Sequence, residues 1–175
     1  MLLLVKIPEP EVKQESDNKD NTYSAFSFRH FNLGILAIFL YMGVEVGVPT
    51  YVMQYLTTAP DAATPGLGIN AGIVGMIVAV YWLLMLVGRL TGAALGAKVS
   101  AKSMLTAVSV LGLVLVLGAM FLDPANTVNL PVFMGTSGFG IANVPINAAL
   151  LVLCGLCTSV MWGGIFNLAV GGLGK

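Results

Sequence analysis

Four long apolar stretches constrain this 175-residue chain more than any other feature of its sequence. They cover about residues 33–56, 71–95, 103–122 and 145–170. A helix of about 20 apolar residues crosses a hydrocarbon core about 30 Å thick, so each stretch is long enough to span a bilayer. Gly, Pro, Asn and Asp mark turns in the connections between them. The sequence therefore predicts an all-α membrane protein with four antiparallel spanning helices over residues 33–175.

The charge content agrees with a membrane protein. Only 9% of the residues are charged, whereas soluble domains contain about 25%. Acidic and basic residues balance at eight each, so net charge gives no reason to expect a nucleic-acid partner. One histidine and two cysteines argue against a disulfide framework or a His/Cys metal site. We expect no metal, no cofactor and no catalytic site, and therefore no enzyme.

The first 32 residues differ from the rest of the chain. The apolar run MLLLVKI, residues 1–7, is too short for a signal peptide. Residues 8–22, PEPEVKQESDNKDNT, are polar and contain prolines, which is typical of a flexible hydrophilic linker. We interpret residues 1–32 as the remnant of another element followed by a linker.

Basic residues predict the orientation of the chain. All of them fall on one side of the four-span topology, before the first span, around the second connection or after the fourth span: Lys6, Lys13, Lys19, Arg29, Arg89, Lys98, Lys102 and Lys175. The first and third connections contain none. Because cytoplasmic loops are enriched in Lys and Arg, both termini are predicted to be cytoplasmic.

Glu45 lies near the centre of the first span, within FLYMGVEVGVPTYVMQYL (39–56). A carboxylate at that depth costs a few kcal/mol, and such acids usually line a cavity. Burial disfavours the charged form, so a group that is neutral in one state and charged in another suits a proton relay. Tyr41 shares a helix face with Glu45 and is its predicted hydrogen-bond partner. The alternative is a glutamate that only holds helices together.

Pro49 follows Glu45 by four residues and has no N–H for the Glu45 carbonyl to accept. An opened backbone here could gate or coordinate a ligand, as broken helices do in transporters. A simple packing kink is an equally good interpretation.

The fourth span places an amide beside an aromatic ring. Asn167 shares a face with Ser159, and Trp162 lies next to that face. Sugar sites combine such groups, because the ring stacks on C–H bonds while the amide bonds to hydroxyls. Alternatively, Trp162 is an interfacial belt residue and Asn167 a helix–helix contact.

In the second span, Gly88, Gly92 and Gly96 recur every four residues, which predicts close helix packing.

Three segments carry a resemblance to a known family: FNLGILAIFLYMGVEVGVPTYVMQYL (31–56), GRLTGAALGAKVSAKSML (88–105) and GLCTSVMWGGIFNLAVGGLGK (155–175). They resemble, in order, the seventh helix, the connection between helices eight and nine, and the tenth helix of the fucose–galactose–glucose:proton symporters, a branch of the major facilitator superfamily. Residues 161–166 read MWGGIF where the family more often has Met-Phe-Pro-Thr-Ile-Phe. We expect the bulkier Trp162 to affect substrate choice.

The resemblance implies a piece of a twelve-helix transporter. Residues 1–7 would end helix six, and the four spans would be helices seven to ten of the C-terminal bundle. It implies proton-coupled uptake of a hexose or 6-deoxyhexose across the bacterial inner membrane, together with an N-terminal bundle. Glu45 and Tyr41 would couple protons or face the substrate, Trp162 and Asn167 would bind sugar, and Arg89 would belong to the cytoplasmic gate loop.

Two other functions remain open at the level of sequence. Four spans and one glutamate in the first of them also suit a small homodimeric exporter that exchanges protons for cationic drugs. The polar N-terminal linker and the long third connection fit that exporter poorly. In a non-transporting membrane interaction protein, Glu45 would be structural.

Overall fold

The computed structural model describes residues 25–133 and 138–171. A short 3₁₀ turn, Ala25–Ser27, precedes four long helices: α1 (Arg29–Thr57), α2 (Ala71–Gly96), α3 (Ala101–Phe121) and α4 (Ile146–Val170). All four are long and apolar enough to cross a membrane. The prediction of an all-α membrane protein with four spanning helices is thus confirmed. Residues 1–24, which include most of the predicted linker, lie outside the described residues.

Side-chain caps begin two of the helices. The Asn70 side chain accepts a hydrogen bond from the Gly72 N–H at 2.8 Å, and the Ser100 hydroxyl accepts one from the Ser103 N–H at 3.2 Å. Each satisfies an N–H that has no partner in the first turn of a helix. The connections before α2 and α3 therefore end at residues suited to start a helix.

The third connection is a β-hairpin and not the loop expected from its turn residues. Strands β1 (Thr127–Phe133) and β2 (Phe139–Pro145) pair antiparallel. Val132 of β1 and Ala142 and Val144 of β2 are buried. Side chains alternate between the two faces of a strand, so one face of the hairpin packs into the apolar core while the other is exposed.

Helix α4 is the centre of the bundle, because it packs against each of the other three helices. In contrast, α3 packs mainly on α4 and has no fully buried residue. The main apolar cluster lies where the first connection and the hairpin meet the helices: Val52, Leu56, Val74, Ile77, Tyr81, Met85, Val132, Ala142, Val144, Ala148 and Val152. The opposite end of the bundle is less filled.

Glycines allow α2 and α4 to approach closely. A Cβ at Gly92 would lie 2.8 Å from Cγ2 of Val160, and one at Gly88 would lie 2.8 Å from the carbonyl oxygen of Leu156. Both distances are shorter than a carbon side chain tolerates, so larger residues would push the helices apart. Gly96, the third glycine of the stripe, faces open space. Two of the three glycines therefore serve helix packing.

Candidate functional site

A cavity of about 620 Å³ lies between α1, α2 and α4 and extends to the connection between α2 and α3. All five residues singled out from the sequence line it: Tyr41, Glu45, Arg89, Trp162 and Asn167. They come from three helices that are far apart in the sequence. The fold thus brings the polar and aromatic candidates together around one space.

Glu45 is paired with Arg89 inside the membrane-spanning region. Oε1 of Glu45 lies 3.3 Å from Nη2 of Arg89, and the Glu45 side chain is only 11% exposed. Arg89 lies within α2, which continues to Gly96, and therefore precedes the loop that the resemblance assigned to the gate. An opposite charge at this distance offsets part of the cost of burying the carboxylate. The two charges cancel within the cavity.

The hydroxyl of Tyr41 lies beside Glu45 and Arg89, but Tyr41 does not form the well-aligned hydrogen bond to Glu45 predicted from the sequence. Its hydroxyl is buried and has no hydrogen-bond partner among the residues that the structure describes. The Glu45 carboxylate bonds to Arg89 instead. Buried polar atoms are nearly always paired, so an unpaired hydroxyl on the wall of a cavity is a group that a polar ligand can satisfy.

The carbonyl that Pro49 leaves free has a partner from another helix. The hydroxyl of Tyr81, on α2, donates to the carbonyl oxygen of Glu45 at 3.1 Å. Helix α1 continues through Pro49 without a break, so the backbone is not opened as a gate. The sequence indicated the unpaired carbonyl but gave no means of finding its donor.

Trp162 and Asn167 lie on the part of α4 that borders the cavity. Trp162 is about half exposed and stacks in parallel on Phe166, with 5.5 Å between the ring centroids. Asn167 is also exposed. Ser159, from the same predicted face, is buried, and its hydroxyl donates to the carbonyl of Leu156 at 2.5 Å. The Ser159 hydroxyl thus has a partner within α4, whereas no side-chain hydrogen bond of Trp162 or Asn167 is found in the part of the chain that the structure describes.

A second cavity, of about 600 Å³, lies between α1, α3 and α4 near the hairpin end of the bundle. The stacked rings of Tyr51 and Tyr55 line it, together with Asn147 and mostly small or apolar side chains. Among the described residues, no acidic or basic side chain borders it. The two cavities have similar volumes, and only the first holds an ion pair.

Comparison with known proteins gives matches along the full chain. The chain is 26% identical over 178 residues to a glucose/galactose transporter of Brucella abortus biovar 1 (strain 9-941), covering 99% of this chain and 37% of the relative. It is 23% identical over 180 residues to the L-fucose-proton symporter of Escherichia coli K12, covering 100% of this chain and 35% of the relative. Over its whole length, the chain is similar to sugar transporters.

This sugar-transporter similarity confirms the resemblance to the fucose–galactose–glucose:proton symporters. The chain spans little more than a third of the length of these relatives. No family model matches the chain, and no solved structure matches it. The two relatives are transporters and not enzymes, and a protein similar to them belongs in a membrane, as its four apolar helices indicate.

Proposed function

We propose that this chain contributes one side of a sugar transport pathway and that the cavity between α1, α2 and α4 binds a hexose or 6-deoxyhexose. The observation that carries the proposal is the convergence of Glu45, Arg89, Tyr41, Trp162 and Asn167 on that cavity. The similarity to glucose/galactose and L-fucose transporters supports a sugar as the ligand.

The chemistry of the cavity suits a neutral polyhydroxylated molecule. Arg89 offers only donors, Glu45 only acceptors, and the Asn167 amide offers both. A sugar hydroxyl can bond to any of them, and the flat ring of Trp162 can cover the C–H face of a pyranose. The volume of about 620 Å³ lies within the usual range for small-molecule sites, about 300–1,000 Å³. A cationic drug, by contrast, would meet the guanidinium of Arg89.

The Glu45–Arg89 pair supports a mechanism for proton coupling. If sugar hydroxyls draw Arg89 away, Glu45 remains as a buried carboxylate without a counter-charge. A buried acid in that position is neutralised by taking up a proton. Sugar binding and protonation of Glu45 would then occur together, and rocking of two helix bundles would expose the site to each side in turn.

A second bundle would complete the pathway. The Arg89 side chain is 55% exposed in the described chain, and Trp162 is about half exposed, so the cavity is open on one side. The N-terminal bundle of the same transporter would cover that side, with α1–α4 as helices seven to ten. By the distribution of basic residues, the cavity end near Lys98 and Lys102 faces the cytoplasm. The resemblance implies that the membrane is a bacterial inner membrane.

The first prediction concerns the class of ligand. The chain has two tryptophans, of which only Trp162 lines the cavity. In a Trp82→Phe variant held in lipid nanodiscs, we expect D-galactose, D-glucose or L-fucose to change the Trp162 fluorescence saturably, with proton exchange in a weakly buffered solution. Trp162→Phe, which keeps Trp82, is the matched control and should give no response.

The same titration distinguishes sugar binding from the two alternative functions, drug export and a non-transporting interaction. Tetraphenylphosphonium, a lipophilic cation, should leave the Trp162 signal unchanged. A response to this cation and not to sugars would favour the exporter, and a response to neither would favour an interaction protein. Either result would overturn the proposal.

A further inference from the structure

The carbonyl of Glu45 depends on a side chain for its hydrogen bond. In a regular helix the N–H of residue 49 would donate to it, but Pro49 has no N–H. Tyr81 supplies the donor at 3.1 Å, and its side chain is fully buried. A buried carbonyl without a partner costs free energy, so this phenol stabilises the turn of α1 that carries Glu45.

A third helix holds the phenol in place. The hydroxyl oxygen of Thr158, on α4, lies 3.2 Å from the hydroxyl oxygen of Tyr81. Thr158 is itself buried and lies 3.2 Å from the carbonyl oxygens of Cys154 and Gly155. The Glu45 carbonyl has no backbone donor and can only accept, so it takes the single proton of Tyr81. The Thr158 hydroxyl then donates its own proton to the Tyr81 oxygen, because the Cys154 and Gly155 carbonyls can accept from backbone N–H groups of α4. The network therefore connects α1, α2 and α4 at one point.

Two side chains of α2 thus form hydrogen bonds with Glu45. Tyr81 bonds to the backbone of Glu45, and Arg89 bonds to its carboxylate. These two residues are eight positions apart, which is about two helical turns and places them on one face of α2. A shift of the Glu45 backbone along α1 would carry the carboxylate away from Arg89.

We propose that Tyr81 is a positioning residue for Glu45: its hydroxyl replaces the backbone donor that Pro49 lacks and thereby keeps the carboxylate at Arg89. This inference rests on the proposed function, in which Glu45 exchanges the proton that accompanies the sugar. Tyr81 does not line the cavity, so it acts on the site through Glu45 and does not touch the ligand.

Removing and then restoring the donor tests the inference. Tyr81→Phe keeps the ring and removes the hydroxyl, and adding Pro49→Ala returns an N–H at the position that serves Glu45. We expect Tyr81→Phe to change the equilibrium constant for sugar-linked proton exchange about fivefold, the effect of one neutral hydrogen bond, and so to lower the number of protons exchanged per sugar at a fixed pH. Sugar affinity, read from Trp162, should change less. The double variant Tyr81→Phe/Pro49→Ala should recover proton exchange, and Tyr51→Phe, an exposed tyrosine of α1, should behave as the wild type.

An infrared measurement made without sugar tests the role of Tyr81 independently of the proposed sugar transport. The carboxylate band of Glu45 is obtained by subtracting the spectrum of the matching Glu45→Gln variant. We expect Tyr81→Phe to shift this band and Pro49→Ala to restore it, even if the chain binds no sugar and the proposed function fails. The assignment of Tyr81 would be overturned if Tyr81→Phe left both the carboxylate band and the proton count unchanged. It would also be overturned if Pro49→Ala did not reverse the losses.

Discussion

We expect Glu45→Gln to reduce sugar-linked proton exchange to the sugar-free baseline while sugar binding survives. Glutamine keeps the size of the side chain and one acceptor oxygen, but it neither takes up nor releases a proton. Because one hydrogen bond contributes about 1 kcal/mol, the sugar dissociation constant should change by no more than about fivefold to tenfold. The measurement is a parallel titration of Trp162 fluorescence and proton exchange in the Trp82→Phe background.

The matched control for this loss is Asp61→Asn. Asp61 is also an acid, but it lies exposed in the connection between α1 and α2 and does not line the cavity. Its removal should leave the proton count unchanged. If Glu45→Gln exchanges as many protons per sugar as the wild type, Glu45 is not the coupling group.

The second large effect concerns Arg89 and the stability of the bundle. Arg89→Gln leaves the Glu45 carboxylate in the spanning region without its counter-charge. Breaking a fully buried pair costs about 3–5 kcal/mol, and the half-exposed guanidinium of Arg89 reduces this to about 1–3 kcal/mol. We expect a corresponding loss of unfolding free energy, measured by thermal or chemical unfolding in one detergent.

A double variant identifies the cause of that loss. In Glu45→Gln/Arg89→Gln no buried charge remains unpaired, so the double variant should be more stable than Arg89→Gln alone. Lys102→Gln removes an exposed cation near the same end of the bundle and should have little effect. Additive losses for Glu45→Gln and Arg89→Gln would contradict the importance of the pair.

The four helices could be predicted because their apolar length and their flanking turn residues are local features. Asn70 and Ser100, for example, are caps that the sequence itself displays. The hairpin was harder to predict, since Gly, Pro and Asn in residues 123–145 indicate turns more strongly than they indicate strands. Its signal was the alternation in TVNLPVF and FGIANVP, in which every second residue faces the helix ends.

The partners of Glu45 show where a single sequence stops being informative. Helical spacing compares residues on one helix, so it favoured Tyr41, which precedes Glu45 by one turn. The structure pairs Glu45 with Arg89 and its carbonyl with Tyr81, both on α2. Such contacts depend on the rotation and depth of one helix against another, which α4 and the glycines of α2 determine through packing.

Photoaffinity labelling tests the central claim most directly, that a sugar binds between α1, α2 and α4. The chain in lipid is irradiated with a diazirine derivative of galactose or fucose, and the labelled residues are located by mass spectrometry. We predict label on residues that line the first cavity, among them Tyr41, Trp162 and Asn167, and its loss when free sugar is added. Label that free sugar does not displace, or label at Tyr51 and Tyr55 in the second cavity, would contradict the claim.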